Sequence, residues 1–286
     1  MHDEFQAIGT LWHIDIVHND ADMVSDICGR VKKRIEIFEQ TYSRFRENSL
    51  IDQISKKEGV YLLPADATPM LDMYRKLYDM STGSITPLIG QTLVDTGYDK
   101  TYSLTPKKDI RNIQAWDDVL LYRRESQTLT VYTPVQLDFG AIGKGYLIDI
   151  VRDMLEKADI SMYTIDAGRD IYHKGKMLDI ALENPFDTTQ AIGMAHITQG
   201  SICGSAGNRR AWSTYTHIID PKTNTSPKHI AAVWVVADTA MLADSLTTAI
   251  FFIPLDVLKI HFSFEHVIVY ADGSAVISPH FPGELF

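Results

Sequence analysis

The sequence predicts a mixed α+β protein in one compact unit, and three observations carry that expectation. Short runs with the patterning of strands are spread along the whole chain, from residues 7–18 to residues 275–277. Between them lie segments with apolar residues at helical spacing, at residues 23–38, 67–80 and 146–157 among others. Repeats, low-complexity tracts and linker-like stretches are absent, so nothing in the 286 residues marks a boundary between independent domains.

Composition narrows the function classes. A chain of 286 residues, 45% hydrophobic and 22% charged, can bury a substantial interior. Its formal charge of −10 argues against nucleic acid as the main partner, because a phosphate backbone selects basic surfaces. Cys28 and Cys203 lie far apart and outside any Cys/His cluster, so they read as buried thiols rather than zinc ligands or a redox pair. The start, Met1-His-Asp-Glu, has no basic segment, apolar signal core or lipidation cysteine, and no run approaches the ~18 apolar residues of a membrane span. As written the chain is expected to be soluble and cytoplasmic; a leader ahead of it would instead make it an extracytoplasmic lipoprotein.

The elements follow in order. Trp12, Ile14 and Ile16 alternate with His13 and Asp15, as in a half-buried strand. Asn19 and Asp20 can cap a helix carrying Met23, Ile27, Val31, Ile35 and Phe38, and Asn48-Ser49 can cap a shorter one with Leu50, Ile51 and Ile54. Residues 61–63 suit a short strand, and residues 67–80 a helix with Gly83 as its stop. Residues 83–90 are apolar but rich in turn formers, and residues 100–114 are polar connecting chain. Residues 119–122 and 129–132 fit a hairpin, and further strands are expected at 163–166, 178–182, 192–197, 214–219 and 231–237. An apolar helix capped by Asp238 runs to Phe252, and residues 267–270 and 275–277 form a closing hairpin.

Four stretches could carry chemistry. The first, LDFGAIGKGY at 137–146, reads as a strand ending at Asp138, a glycine turn and a helix start. Gly140, Gly143 and Gly145 would let backbone approach a ligand, the helix dipole favours an anion, and Lys144 adds a positive charge. It is neither a Walker A loop, which needs glycine at Asp138 and Ser or Thr at Gly145, nor a G-x-G-x-x-G dinucleotide fingerprint. A glycine-rich turn and a phosphate cradle both remain open on spacing alone. In the second, Asp244 and Thr248 project from one helical face beside Thr247. Either Thr248 bonds back to the backbone with Asp244 at a surface edge, or oxygen ligands gather there for a hard cation such as magnesium or calcium. The third is His217-Ile-Ile-Asp-Pro221 at a strand end. The fourth is residues 201–210, where small residues precede Arg209 and Arg210.

Together these stretches resemble one family, the FAD:protein FMN transferases or ApbE-type flavin transferases, over nearly the full length. Ala7-Ile-Gly-Thr10 sits at the family's A-M-G-T, and Ser43-Arg-Phe45 followed by Ser49-Leu-Ile51 at its S-R/T-F/Y…S-x-I/L segment. Residues 137–146 match D-L/F-G-A-I-A-K-G-Y/W, residues 217–221 match H-I-I-D-P, and residues 243–248 match A-D-A-L-A/D-T. The resemblance implies a single domain over 1–286 with a two-lobed, ApbE-like and T-fold-related α+β architecture, its mixed or antiparallel sheets flanked by helices. It also implies transfer of FMN from FAD to a threonine hydroxyl of an acceptor flavoprotein bearing D-x-x-S/T-G-A/S-T, with Mg2+ as cofactor and AMP released. By the same resemblance Asp138 and Lys144 contact FAD, while the Ala141 carbonyl and the Asp244 and Thr248 side chains hold the metal. Ile8, Phe45 and the turn of Gly83, Ser84 and Ile85 line the flavin or adenine pocket. His217 lies near the phosphates as candidate base; Asp244 competes for that role, but a carboxylate on a cation is a poor base.

Three departures from the family pattern are visible. Thr86 replaces aspartate in G-x-F-D-P, Arg169 replaces the second glycine of D-A-G-G, and Thr247 replaces an acidic residue of some members. The acceptor motif has a near match at residues 79–85, but Ile85 holds the acceptor position, so the acceptor is expected to be another chain. Two alternatives use the same residues: a magnesium-dependent FAD pyrophosphatase giving FMN and AMP, and a protein that binds FAD without chemistry.

Overall fold

The computed structural model describes every residue except Arg209. Its elements in chain order are β1 (His2–Ala7), β2 (Thr10–Ile16), α1 (Ala21–Tyr42), α2 (Leu50–Ile54), β3 (Gly59–Leu62), α3 (Ala67–Met80), a 3-10 turn (Pro87–Ile89), α4 (Gly90–Asp95) and α5 (Trp116–Val119). There follow β4 (Leu120–Arg123), β5 (Thr128–Val131), α6 (Gly143–Glu156), β6 (Tyr163–Ala167), β7 (Ile171–Glu183), β8 (Ala191–Ala206), β9 (Ala211–Trp212) and β10 (Tyr215–Thr216). The chain ends with β11 (Ile230–Ala237), α7 (Ala240–Ala249), α8 (Leu255–His261), β12 (Glu265–Tyr270), β13 (Ala275–Ile277) and β14 (Gly283–Leu285). The α+β class follows directly. Two compact units are present: Met1–Ile37, Ala141–Asn208 and Lys228–Phe286 make the first, and Phe38–Gly140 with Arg209–Pro227 the second.

The first unit is built on one sheet with strand order β1-β2-β6-β7-β8-β11-β12-β13, to which β14 adds beside β8. Every neighbouring pair in it is antiparallel. In β2 the alternation reads directly as burial: Trp12, Ile14 and Ile16 are inside, His13 is half-buried and Asp15 is exposed. Helix α7 packs on β8 and β11 and against α6. Leu147, Ile148, Val151 and Leu155 of α6 are fully buried, worth about 2 kcal/mol each in transfer free energy. The apolar spacing of α6 therefore serves the core.

Two tight hairpins shape one end of this sheet. Ala7 pairs with Thr10 across Ile8 and Gly9, at φ 45° and 73°. The Ala167 N–H donates to the Asp170 carbonyl at 2.9 Å across Gly168 and Arg169, at φ 66° and 78°. Positive φ at both central residues is the type I′ signature, whose twist matches that of the flanking strands. Arg169 therefore occupies a left-handed conformation that disfavours a side chain and in which glycine would be relaxed. Its amide donates to Asp166 Oδ1 at 2.6 Å and its guanidinium pairs with Glu183.

The second unit holds a sheet ordered β3-β5-β4 and a β9–β10 ladder. Helix α3 has the bounds read from the sequence, and Gly83, at φ 95°, closes it by donating its N–H to the Tyr78 carbonyl. Thr86 caps the 3-10 turn by accepting the Leu88 N–H, a role an aspartate oxygen could also fill. Ser49 caps α2 by accepting from Asp52. An aromatic cluster gathers Phe45, Tyr98, Trp212 and Tyr215 with Leu93 and Ile219.

Several local expectations are corrected. Residues 134–138 form no strand and pair with none; Pro134 lacks an N–H, and the Asp138 N–H goes instead to the Pro87 carbonyl. The N-cap of α7 is Thr239, whose hydroxyl accepts the Leu242 N–H, and not Asp238. That helix stops at Ala249, three residues short of the expected Phe252. Of residues 214–219 only Tyr215–Thr216 pair, while β1 and most of the lengths of β7 and β8 went unread. In β1 the polar residues His2, Glu4 and Gln6 hid a strand whose inner partners are Phe5 and Ala7.

Candidate active site

The first unit brings together Lys144 and Asp244 of the expected set, with Ala141 and Thr248 beside them in sequence. Gly145 is the third residue of α6, so its N–H has no partner within the helix. It donates to Asp244 Oδ2 at 2.8 Å. The exchange is mutual, since Asp149 of α6 accepts the N–H groups of Ala240 and Met241, at 3.0 and 2.8 Å, at the start of α7. Each helix thus caps the other with a carboxylate, charge facing dipole. Burial pushes the Asp149 carboxyl above the usual carboxylate range, against those two amide bonds and Arg152. The anion at the α6 N-terminus is therefore the protein's own Asp244.

Gly145 is glycine for packing reasons. A Cβ there would lie 2.2 Å from the Ala240 carbonyl oxygen and 2.6 Å from Asp244 Cβ. Asp244 is buried, only 6% exposed, and not at a surface edge; Thr248, one turn on, is half-buried. The residue that bonds back to the backbone is Thr247, which donates to the Asp244 carbonyl at 2.7 Å and pairs with Ser205 at 2.8 Å. Thr247 is thereby structural, leaving the Asp244 carboxylate and Thr248 as the polar groups of that face. The donor set of carboxylate, hydroxyl and backbone carbonyl is all oxygen, which fits a hard divalent cation.

Lys144 is ion-paired with Asp170, itself buried, whose other oxygen accepts the Gly204 N–H at 3.1 Å. Asp170 follows the Gly168–Arg169 turn, so that hairpin places the lysine's counter-ion. Nearby Cys203 is buried, and burial followed by the charge of Asp244 pushes its thiol up, as befits a structural rather than a reactive cysteine. Ile8 stands half-buried in the other type I′ turn. A β-branched side chain at φ 45° is strained, and such strain persists only where paired strands impose it.

The second unit positions Phe45, Asp138, His217 and the Gly83 turn. Asp138 Oδ1 accepts the Gly140 N–H at 2.7 Å and Oδ2 accepts from Arg44 Nε at 2.6 Å, while the Tyr74 hydroxyl donates to the Asp138 carbonyl. Arg44 is 2% exposed, and its guanidinium lies 4.1 Å over the Phe45 ring and 5.0 Å over Tyr98. Phe45 in turn stacks on Tyr102, with centroids 5.5 Å apart and planes 4° off parallel. The side chain of Ile85 is buried, and its N–H donates to Ser81 Oγ. Lys222, just past the His217–Pro221 stretch, donates to the Ser81 carbonyl and to Thr82 Oγ1 at 3.1 and 2.7 Å, tying that loop to the Gly83 turn. His217 is half-buried, its N–H donating to the Arg210 carbonyl. Of the arginine pair, Arg210 reaches Tyr98 and Arg209 lies outside the described residues.

Sequence reasoning missed Arg44, Asp149 and Asp170. Arg44 lies within the Ser43-Arg-Phe45 motif, Asp149 lies three residues past the 137–146 stretch, and Asp170 directly follows the D-A-G turn. A charged residue expected to be buried needs a partner, and that rule could have flagged all three.

Comparisons with known proteins bear on the family and the fold. A curated FAD:protein FMN transferase of Haemophilus influenzae is 26% identical over 271 residues, covering 86% of this chain and 78% of its own. One from Salmonella typhimurium is 21% identical, covering 86% and 77%. Among solved structures, the ApbE protein of Thermotoga maritima superposes with a TM-score of 0.83 at 19% identity over 99% of both chains. The flavin transferase ApbE of Vibrio cholerae gives 0.79 at 17% identity, over 98% and 97%. At these identities the structures establish the shared fold. The sequence profile described as the ApbE family matches residues 8–264, and the chain belongs to that family.

Proposed function

We propose that this chain is a magnesium-dependent FAD:protein FMN transferase, moving FMN from FAD to a threonine hydroxyl of an acceptor flavoprotein and releasing AMP. The observation that carries the reading is the Gly145–Asp244 hydrogen bond. It joins the glycine–lysine motif to the Asp244 helix across 99 residues of sequence, as one site for phosphate and metal would require. Relatives matched over 86% of the chain bear that enzyme's name.

In this reading residues 1–286 act as one flavin transferase domain. The Ala141 carbonyl, Asp244 and Thr248 hold Mg2+; when bound, the ion supplies neutralisation of phosphate charge. Lys144, kept in place by Asp170, adds a second positive charge, and Asp138 contacts FAD. Ile8, Phe45, Gly83, Ser84 and Ile85 line the flavin or adenine pocket. His217 takes the proton of the acceptor threonine as that oxygen bonds to the FMN phosphorus; the bond from that phosphorus to the bridging oxygen breaks and AMP departs. The acceptor carries a D-x-x-S/T-G-A/S-T segment.

The test is to incubate the protein with FAD and Mg2+, with and without a small acceptor domain bearing the motif, and to read AMP release and acceptor mass together. The expected result is an acceptor mass gain equal to FMN that disappears with Asp244→Ala. AMP with an unlabelled acceptor would make the protein a pyrophosphatase, and FAD binding without AMP would make it a non-catalytic flavin carrier.

A further inference from the structure

Away from the residues assigned above, the outer face of the β1–β2 hairpin carries an unusual quartet. Antiparallel register sets His2 opposite Asp15 and Glu4 opposite His13. Strand alternation turns all four away from Trp12 and Ile14, so two imidazoles and two carboxylates share one accessible face. His2 and His13 occupy one diagonal, their rings stacked with centroids 5.6 Å apart. Ligand atoms of His2, Glu4 and His13 all lie within 4.8 Å of one another.

We propose that His2, Glu4 and His13 form a binding site for a zinc-class divalent cation, with Asp15 as the positioning residue. Asp15 Oδ1 lies 2.8 Å from His2 Nδ1. An ionised carboxylate only accepts, so the Nδ1 of His2 carries the proton and its Nε2 lone pair is left for a metal. That is the carboxylate–histidine–metal arrangement that orients an imidazole and raises its basicity. His13 Nδ1 lies 3.4 Å from Glu4 Oε2, so a small rotation of either side chain lets both face a common ion. Cross-strand ion pairing accounts for each rung separately. The same register brings the two imidazoles together on the diagonal, within reach of one cation.

The ligand chemistry sets this site apart from the one on α7. Two imidazole nitrogens and one carboxylate select zinc and its borderline neighbours over magnesium and calcium, which prefer oxygen donors. Three protein ligands leave a fourth position for water. The exposure of His2 and Glu4 gives an ion direct access. Because β1 is an edge strand, such an ion cross-links the edge to its neighbour and braces the hairpin whose turn holds Ile8.

The experiment uses the full chain stripped with chelator and held in excess Mg2+, which occupies oxygen-only sites, and titrates Zn2+ by calorimetry. The unsubstituted protein is expected to take up one more zinc per chain than a variant with both His2→Gln and His13→Gln. Asp15→Asn is expected to weaken that binding tenfold or more. Co2+ in place of zinc should give the visible absorption of a four-coordinate ion, absent from the double variant. Circular dichroism of the metal-free variants checks that the exposed substitutions leave the fold intact. Equal zinc uptake by the unsubstituted and double-variant proteins would overturn the proposal, as would unchanged affinity in His13→Gln alone, which would leave His2 acting without its cross-strand partner.

Discussion

Asp244 accepts the backbone N–H of Gly145 at 2.8 Å, and Gly145 has no room for a side chain because Asp244 Cβ and the Ala240 carbonyl lie against it. The α6–α7 spacing and the orientation of the Asp244 carboxylate are therefore one feature. Gly145→Ala is expected to destabilise the protein by about 3 kcal/mol, because the atoms in its way are backbone and a Cβ that cannot rotate aside. Urea unfolding checks it. Asp244→Asn keeps an oxygen for the Gly145 amide, so its stability should stay within about 1 kcal/mol of the unsubstituted protein while metal-dependent AMP release is lost. An active Asn variant would remove Asp244 from the metal site.

The two type I′ turns hold side chains where glycine would be relaxed. Ile8→Gly and Arg169→Gly should each raise the unfolding free energy by about 1 kcal/mol, the exposed Arg169–Glu183 pair offsetting little of the gain. If Ile8 contacts flavin, its glycine variant becomes more stable yet shows a higher KM for FAD. Stability and KM moving the other way would leave the strained isoleucine without that role.

Arg44 and Asp138 form an ion pair with both partners largely out of water. Removing the cation strands the carboxylate, so Arg44→Ala should cost about 3 kcal/mol. Arg44→Lys should cost less but lose the stacking on Phe45, since an ammonium lacks the planar face of a guanidinium. Denaturant midpoints of the two variants, compared with FAD affinity, separate the packing contribution from the ionic one.

Burial, helped by Lys259, pulls the His266 imidazole down to about 4. The folded protein keeps it neutral while the unfolded chain takes a proton near the ordinary value of about 6.5. Stability from this source is complete above pH 6.5 and falls as the pH drops from there toward 4, by about 3 kcal/mol in all. His266→Gln should flatten the unfolding free energy over that window. The carboxylates act lower down. Hydrogen bonds from Lys100 and then Lys56 depress Asp52, and Asp95 is depressed by Arg111 and Lys107 despite burial acting to raise it. Their contribution is present above the ordinary carboxylate range and is lost as the pH falls below about 4. An unchanged slope between pH 6.5 and 4.5 in His266→Gln would contradict the first assignment.

Much of the fold was legible residue by residue. Helix α3 carries its own stop in Gly83, α2 its own cap in Ser49, and β2 shows its inner face in Trp12, Ile14 and Ile16. Such signals act within a few residues, and burial, capping and backbone sterics speak there in the order of the sequence. The motif chemistry was equally local: glycines and Lys144 at a helix start, and oxygen donors one turn apart at Asp244 and Thr248.

What the sequence by itself determined was thus the set of elements with strong local signals and the kinds of side chain available for chemistry. The tertiary structure alone decided which partners those side chains meet. The spare amide of Gly145 goes to Asp244 and the charge of Lys144 to Asp170, while Thr247 rather than Thr248 is absorbed by the backbone. It also decided that residues 134–138 join no sheet and that polar β1 does. The physical reason is that a buried charge or an unpaired amide must be satisfied, but any suitable partner will do. Which partner is within reach depends on how distant segments pack, and no pattern along the chain records that distance.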